Sequence, residues 1–579
     1  MFDRTSVRVV RSAVVVLVSV MMISSASLAS AAQWRSVTPH SNLPGKWIRA
    51  TTVPGSANLN RGNARANAIS CAAVGSCAAV GSFGDGTGHD IAIVDSQVQG
   101  HWNIAQKLKG NSTFSTDSSV LSAVSCSSKT ACGAVGYFLN SSGQTQGFVV
   151  SEVASSWRNV QLIPGLDAMS AGHHARAKVI SCSSPGNCGA GGYFLDASAH
   201  FRAFVVNEVD GVWQDAQVIH GVVTLSSKGN SQVTAMTCRS RGTCSAGSYL
   251  NGGTNHQQPF VVNEVSGTWG LPTVVVNDVN YNAGGKAQIV ALSCNSGGNC
   301  VAGGYYRNKI GNRQPFVLRE VSGTWNAPID VPGVSALNTG NSSLASISCD
   351  ARNGCVAGGY FTGEFGRQQP FLINETNGVW GPLDVIANAT PVANNAKAQL
   401  TTVSCDPDGF CSAGGFFTAP GNHQRAFVLD RINGKWNSSS VVNGTDALNV
   451  GNLASVTALS CSVSTYCAIL GNFRDAASRM QSFVDARATS PTAPLRVKAA
   501  GAKRSANVSW MSPSSNGGTP IVHFVVTSSP LHKSCSTNGA RSCTVKGLLS
   551  NHSYVFRVVA MNVVGRSVAS VASHSVTVR

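Results

Sequence analysis

Short apolar runs closed by glycine, asparagine or serine recur along almost the whole chain. Runs of about four to eight residues bounded by turn residues predict β-strands, since a helix needs at least about ten to bury a face. Between Ile289 and Trp325 the pattern resolves into four strand candidates. IVALSC ends at Cys294, CVAGGYY starts at Cys300, QPFVLREV starts at Gln314, and Ser322-Gly323 turns the chain into TWNAPIDV. The turn recurs as Val-Asp-Gly-Val-Trp at 209–213, Thr-Asn-Gly-Val-Trp at 376–380 and Ile-Asn-Gly-Lys-Trp at 432–436. Asp-Gly and Asn-Gly supply the positive φ values of a type I′ hairpin, so the third and fourth candidates are expected to be antiparallel neighbours.

The same pattern repeats eight times. Cysteines separated by five residues stand at Cys71 and Cys77, Cys126 and Cys132, Cys182 and Cys188, Cys238 and Cys244, Cys294 and Cys300, Cys349 and Cys355, Cys405 and Cys411, and Cys461 and Cys467, with 55 or 56 residues between successive pairs. Trp47, Trp102, Trp157, Trp213, Trp269, Trp325, Trp380 and Trp436 keep the same period. Four antiparallel strands per unit predict the blade of a β-propeller. The array opens on a lone fourth strand at Trp47 and ends after SFVDA at 482–486 with a fourth strand missing. An N-terminal strand completing the last unit would close an eight-bladed ring and remove its exposed edges. An open β-solenoid accounts for the period but not for this reciprocal deficit. Each cysteine pair brackets the turn between the first two strands, where a disulfide closing so short a loop stabilises by about 2 kcal/mol. The small residues of CGAGGYF at 188–194 predict close approach of neighbouring sheets, and the tryptophans predict packing between sheets rather than sugar stacking.

Composition narrows the function classes. Hydrophobic residues make up 43% and charged residues 12%, which fits a folded chain rather than a disordered polyelectrolyte. The formal charge of +17 arises from a deficit of acids, 25 against 42 Lys plus Arg, and no run of five basic residues occurs. Nucleic acid is therefore not an expected partner. The basic balance favours weak attraction to anionic wall polymers or lipids. Arg4, Arg8 and Arg11 precede an apolar stretch from Ala13 to Ile23 and the small-residue site Ala29-Ser30-Ala31, so residues 1–31 read as an export signal with mature chain from Ala32. No later stretch is long and apolar enough to span a bilayer. Export to an oxidising compartment makes the cysteines disulfides rather than metal ligands.

The period stops near Ala488-Thr489, where Ser490-Pro491-Thr492-Ala493-Pro494 begins a new domain. Pro494-Leu495, Val508-Ser509-Trp510, NGGTPIVHFVV from Asn516, Gly547 to Tyr554 and the following VFRVVAMNVVGRS resemble a fibronectin type III domain. The resemblance implies a β-sandwich in which Tyr554 is the tyrosine-corner residue. Cys535 and Cys543 depart from the animal pattern and are expected to form a ninth disulfide. The expected domains are thus an export signal at 1–31, an eight-bladed propeller at 32–488 and a fibronectin type III domain at 489–579. Taken together, the repeats and the terminal module resemble the cysteine-rich arrays that accompany such modules in secreted bacterial proteins. The Gly-x-Trp turns are similar to part of the sialidase Asp box, but the Ser-x-Asp-x-Gly-x-x-Trp arrangement is not met.

Candidate chemistry is sparse. The zinc-protease, nucleophile-elbow, phosphate-loop and EF-hand patterns are absent from the sequence, so no cofactor and no metal are expected. Gly84 to Gly88 and Cys405 to Gly409 read as solvated turns rather than calcium loops, and His173-His174 as a connector. Glu152, Glu208, Glu264, Glu320 and Glu375 each close a third strand and form a repeated feature rather than the unique carboxylate pair of a glycosidase. Two residues before the third-strand aromatic stand Gln146, Arg202, Gln258, Gln314, Gln369, Arg425 and Gln481, a ring of planar donors. These either bond neighbouring backbone or form a polar binding rim. The expected function is a secreted or cell-surface, non-catalytic binding or adhesion protein with an extracellular protein or glycan as partner. A polysaccharide-degrading hydrolase or its accessory module is the alternative, and a structural spacer a third.

Overall fold

Each repeat folds into three long antiparallel strands and a fourth that is short and interrupted except in the sixth sheet, where Val379–Val385 runs for seven residues. The computed structural model describes residues 45–110, 118–140, 142–226, 229–252, 256–275, 281–295, 297–386, 389, 396–463 and 466–579. The export signal expected at 1–31 lies outside them.

Among the described residues the repeats give eight sheets. The long strands are Ala64–Ala73, Ser76–Gly84 and Asp90–Val98 in the first; Ser118–Ser128, Ala131–Leu139 and Thr145–Val153 in the second; Ala175–Ser184, Asn187–Leu195 and Phe201–Val209 in the third; and Ser231–Ser240, Thr243–Asn251 and Gln257–Val265 in the fourth. The fifth holds Ala287–Cys294, Cys300–Arg307 and Arg313–Val321; the sixth Ser343–Cys349, Gly354–Thr362 and Gln368–Thr376; the seventh Ala398–Cys405, Cys411–Ala419 and His423–Ile432; and the eighth Ala454–Cys461, Cys467–Arg474 and Met480–Ala488. The hairpin before each repeat tryptophan from Trp102 to Trp436 takes the expected shape, with Asp210 at φ 51° and Gly211 at φ 83°. The fourth strand is less regular than the sequence predicts. In the second sheet Trp157 pairs with Glu152, but Gln161 pairs with Val149, one residue out of register. A bulge at an outer strand bends the edge away from further pairing.

A second bulge recurs inside every first strand, as between Ala177 and Val179 or Ile289 and Ala291. It corrects the reading of the small residues. In the third sheet Gly191 does serve sheet approach, since a Cβ there would lie 2.9 Å from Val233 Cγ1 of the fourth sheet. Gly192 serves its own sheet instead: a Cβ would collide with the Arg176 carbonyl just before the bulge, as at Gly304 with Gln288 and Gly415 with Gln399. The fourth sheet carries Ser248 here, and Thr234 Oγ1 donates to its Oγ at 2.8 Å.

All eight short-loop disulfides are formed, each across two residues that face one another in the ladder. Cys71 is bonded to Cys77, Cys126 to Cys132, Cys182 to Cys188 and Cys238 to Cys244. Cys294 is bonded to Cys300, Cys349 to Cys355, Cys405 to Cys411 and Cys461 to Cys467. The Cα separations are 3.9 to 4.0 Å, as the direct pairing requires. Before the first cysteine of seven units sits a serine whose Oγ can accept from the next unit's cysteine amide. The bonds run Cys126 N–H to Ser70, Cys182 to Ser125, Cys238 to Ser181, Cys349 to Ser293, Cys405 to Ser348 and Cys461 to Ser404, at 2.9 to 3.0 Å. The series returns to its start, because the Cys71 amide donates to Ser460 Oγ at 2.9 Å. The two ends of the repeat region share one sheet as well. Lys46–Trp47 pairs antiparallel with Met480–Ala488, placing Trp47 opposite Arg487, and Thr51 pairs with Val484.

The C-terminal region folds as a β-sandwich. One sheet holds Leu495–Ala502, Ser505–Met511 and Ser542–Lys546; the other holds Ser534–Thr537, His523–Ser529, Ser553–Met561 and Val576–Thr577. Trp510, Phe524, Tyr554 and Phe556 fill the space between them. The Tyr554 hydroxyl accepts from the Leu549 amide at 3.0 Å, as a tyrosine corner requires. Cys535 and Cys543 form the ninth disulfide.

Candidate functional site

The eight sheets present two chemically different ends. Disulfides and third-to-fourth-strand hairpins lie at one. The loops between second and third strands, and the connectors entering each first strand, lie at the other.

At the disulfide end the repeated glutamates face the preceding sheet. Ser96 Oγ donates to Glu152 at 3.4 Å, Ser151 Oγ to Glu208 at 3.0 Å and Asn263 Nδ2 to Glu320 at 3.5 Å, while Asn207 bonds Glu264 and Arg319 pairs with Glu375. Three of the tryptophans opposite these glutamates reach the same neighbours. The indole N–H of Trp157 donates to Ser96 at 3.0 Å, that of Trp213 to Ser151 at 3.4 Å and that of Trp325 to Asn263 at 3.2 Å. Each such junction is clasped by a carboxyl and an indole from one sheet closing on a single polar side chain of the sheet before. At the junction of seventh and eighth sheets the charges exchange places: buried Arg487 pairs with Asp430 at 2.9 Å and stacks 4.3 Å from the Phe410 ring.

Burial pushes the carboxyls of Glu152, Glu208, Glu264, Glu320 and Glu375 above the usual range; hydrogen bonds and nearby arginines only partly offset it. Two clefts open between sheets here, one of about 530 Å³ lined by Glu152 and Glu208 and one of about 450 Å³ lined by Glu208 and Glu264. The disulfide cysteines of the second, third and fourth units reach these clefts through Cys132, Cys182, Cys188, Cys238 and Cys244. Cys77 and Cys355 line neither: both are buried, Cys77 in the core that joins the first and eighth sheets and Cys355 in the core around Phe361 and Phe371. All of these cysteines are disulfide-bonded and offer no thiolate, and Cys132, Cys188 and Cys244 at the clefts are as buried as Cys77 and Cys355, so the pairs act as staples of their sheets.

The opposite end carries a feature the sequence reading did not single out. Tyr137, Tyr193, Tyr249, Tyr305 and Tyr360 occupy one register position on five consecutive second strands, each half-buried. Burial, and then the neighbouring Tyr193 and Tyr305, push the Tyr249 phenol up. The Arg176 guanidinium lies 4.3 Å over the Tyr137 ring and that of Arg313 4.5 Å over Tyr305; Phe201 packs edge-on to Tyr193 at 4.9 Å. Flat aromatic faces backed by cations can stack on a ligand's apolar faces while the hydroxyls take or give hydrogen bonds. The signal was the tyrosine following the paired small residues in CGAGGYF and CVAGGYY.

The seven planar donors stand at this same end, with different partners. Gln146 Nε2 donates to Asp167 at 3.3 Å, Arg202 Nη1 to the Ser226 carbonyl at 2.6 Å, and Arg425 Nε to Asp446 at 3.0 Å. Gln314 accepts from Asn338 at 3.3 Å, and Gln481 accepts from Asn60 at 2.8 Å and donates to Asp475 at 2.9 Å. Gln258 and Gln369 lie beside Gly252 and Gly363 of their own loops. Five of the seven thus hold the connectors that leave their sheets. Among the remaining sequence candidates, Asp85 accepts from the amides of Thr87 and His89, and Asp406 from those of Asp408 and Phe410. These are turn-capping geometries. His173 faces Asp167 at 3.4 Å and His174 faces Thr145 at 3.3 Å. Among the described residues no group of three or more His, Cys, Asp or Glu is placed to hold a metal ion, and no helix is long and apolar enough to cross a membrane.

Comparison with known proteins assigns residues 490–576 to the fibronectin type III domain. Among solved structures the chain is similar to titin kinase and its flanking domains, with 28% identity over 16% of this chain and TM-score 0.15; the match spans 18% of that protein. It is similar to a Hadza microbial sialidase, at 11% identity over 60% of this chain and 73% of the other, TM-score 0.34. A third is a Trypanosoma rangeli sialidase in complex with an inhibitor, at 10% identity over 68% and 84%, TM-score 0.32. No curated protein matches the sequence.

Proposed function

We propose that this protein is an exported eight-bladed propeller joined to a fibronectin type III domain, and that it binds an extracellular protein or glycan without turning it over. The fibronectin type III domain and the nine disulfides fit an extracellular binding or adhesion role. The observation that carries the choice of surface is the row of half-exposed tyrosines on five sheets, backed by Arg176 and Arg313. The planar donors, from Gln146 round to Gln481, frame that surface, five of them by holding its connectors, and form the rim of the same site.

The alternative, polysaccharide hydrolysis, draws on the two inter-sheet clefts, where burial-raised carboxyls of neighbouring sheets share a cavity. A glycan-array screen of the full chain, run beside a reducing-sugar release assay, separates the readings: binding without release supports the first, and turnover lost in Glu208→Gln replaces it with the second. For a ligand so found, Tyr249→Ala is expected to weaken affinity about tenfold, the size of a lost stacking contact, with an unchanged melting temperature. Equal affinity in wild type and variant would move the site elsewhere.

A further inference from the structure

Seven of the eight junctions between sheets have a polar residue that receives the neighbour's clasp: Ser96, Ser151, Asn207, Asn263, Arg319, Asn374 or Asp430. At the eighth, where the last sheet meets the first, that position is Ala486, which offers no side-chain partner. The first sheet departs from the repeat at the same place, with Gln97 where five sheets carry glutamate. Tyr466 of the eighth sheet, a position that holds a small residue, asparagine or Phe410 in the other units, donates its hydroxyl to Gln97 Oε1 at 2.6 Å and is 2% exposed.

The C-terminal sandwich sits on this junction. Its loop Asn516 to Thr519 touches both sheets: Asn516 Nδ2 donates to the Gln99 carbonyl of the first sheet's hairpin at 2.7 Å, and Gly518 packs on the Tyr466 ring. A Cβ on Gly518, already at φ 93°, would run into that ring, and one on Gly100 would lie 2.6 Å from Thr519 Cα. The loop is held from behind, since Asn562 Nδ2 donates to both the Thr489 and Asn516 carbonyls at 2.8 Å and the Thr489 amide donates to Gly517 at 2.8 Å.

We propose that the fibronectin type III domain is the latch of this seam, an interaction partner within the chain that replaces the missing clasp between first and eighth sheets. The departures from the repeat, Ala486, Gln97 and Tyr466, fall together where the loop docks. A module serving only as a spacer would need none of them.

Native-state hydrogen exchange on the full chain tests this. The Cys71 and Ala66 amides cross the seam, donating to Ser460 Oγ and Asn472 Oδ1, whereas the Cys182 and Cys238 amides cross other junctions. In Gly518→Ala, exchange at Cys71 and Ala66 is expected to rise tenfold or more while Cys182 and Cys238 keep wild-type protection. Asn516→Ala, which removes the bond to Gln99 and the Oδ1 that accepts from the Gly518 amide but introduces no clash, is expected to move the same two amides by several-fold and serves if the first variant does not fold. Unchanged seam protection in a variant whose Thr489 amide has become exposed, or an equal rise at all junctions, would overturn the latch.

Discussion

Asp95 and Asp485 occupy a third-strand position filled by Val150, Val206, Val262, Leu318, Ile373 and Leu429 in the other sheets. Asp95 is 1% exposed, and neither of its carboxylate oxygens has a hydrogen-bond partner among the described residues. Burial pushes its carboxyl to about 8 and that of Asp485, whose Oδ1 accepts from the Arg49 and Ala486 amides, to about 7. A raised folded-state value means the folded chain holds a proton that the unfolded chain releases. The stability is full below the ordinary value of 3.8 and is lost as pH rises through about 7 to 8. The five clasp glutamates act in the same direction. The melting temperature is therefore expected to fall from pH 5 to pH 9. Asp95→Val should flatten that dependence and stabilise at pH 9 by about 1–3 kcal/mol, the cost of a buried unpaired polar group. Equal pH profiles for variant and wild type would show that Asp95 is not the source.

At the scale of the element, the sequence already specified most of each sheet, because strand length, turn type and cysteine spacing are local. The hairpins before Trp213 and Trp269 follow from Asp-Gly and Ser-Gly alone. The bulge in every first strand was not legible, since in seven of the eight sheets its signal is a glycine on the partner strand, and a glycine there reads equally as room for another sheet. Gly304→Ala puts a methyl group against the Gln288 carbonyl and is expected to cost about 1–3 kcal/mol, the range of an overpacked site, as measured by denaturant midpoint. A neutral result would mean the bulge can shift. The break in the fourth strand was also unforeseen, because an outer strand has one neighbour to set its register and is free to slip.

For the whole molecule, the strand Lys46–Trp47 joins sequence positions more than 400 residues apart through its pairing with Met480–Ala488. The Trp47 indole donates to Asp430 at 3.3 Å, so this first strand also supports the buried Arg487–Asp430 pair. Arg487→Ala leaves Asp430 buried without its cation and is expected to cost about 3–5 kcal/mol. Trp47→Phe keeps the ring but removes the donor and should cost about 1 kcal/mol. Chemical denaturation of the two variants checks the order; a larger loss in Trp47→Phe would place the weight on the indole.

The sequence by itself determined the repeat, its strands and hairpins, the eight short-loop disulfides from Cys71–Cys77 to Cys461–Cys467, and the C-terminal sandwich with its tyrosine corner. Each of these depends on residues close together in the chain or on an alternation that repeats locally. Only the tertiary structure decided which cysteines border a cleft. It also decided that five tyrosines align at one end and that each glutamate meets a residue about 56 positions earlier. It alone placed Asp430 against Arg487, and the terminal domain where Ala486 breaks the series. Alternation tells which side of a strand a residue takes, but not which atoms of the adjacent sheet stand across from it, and that choice is made when the sheets pack.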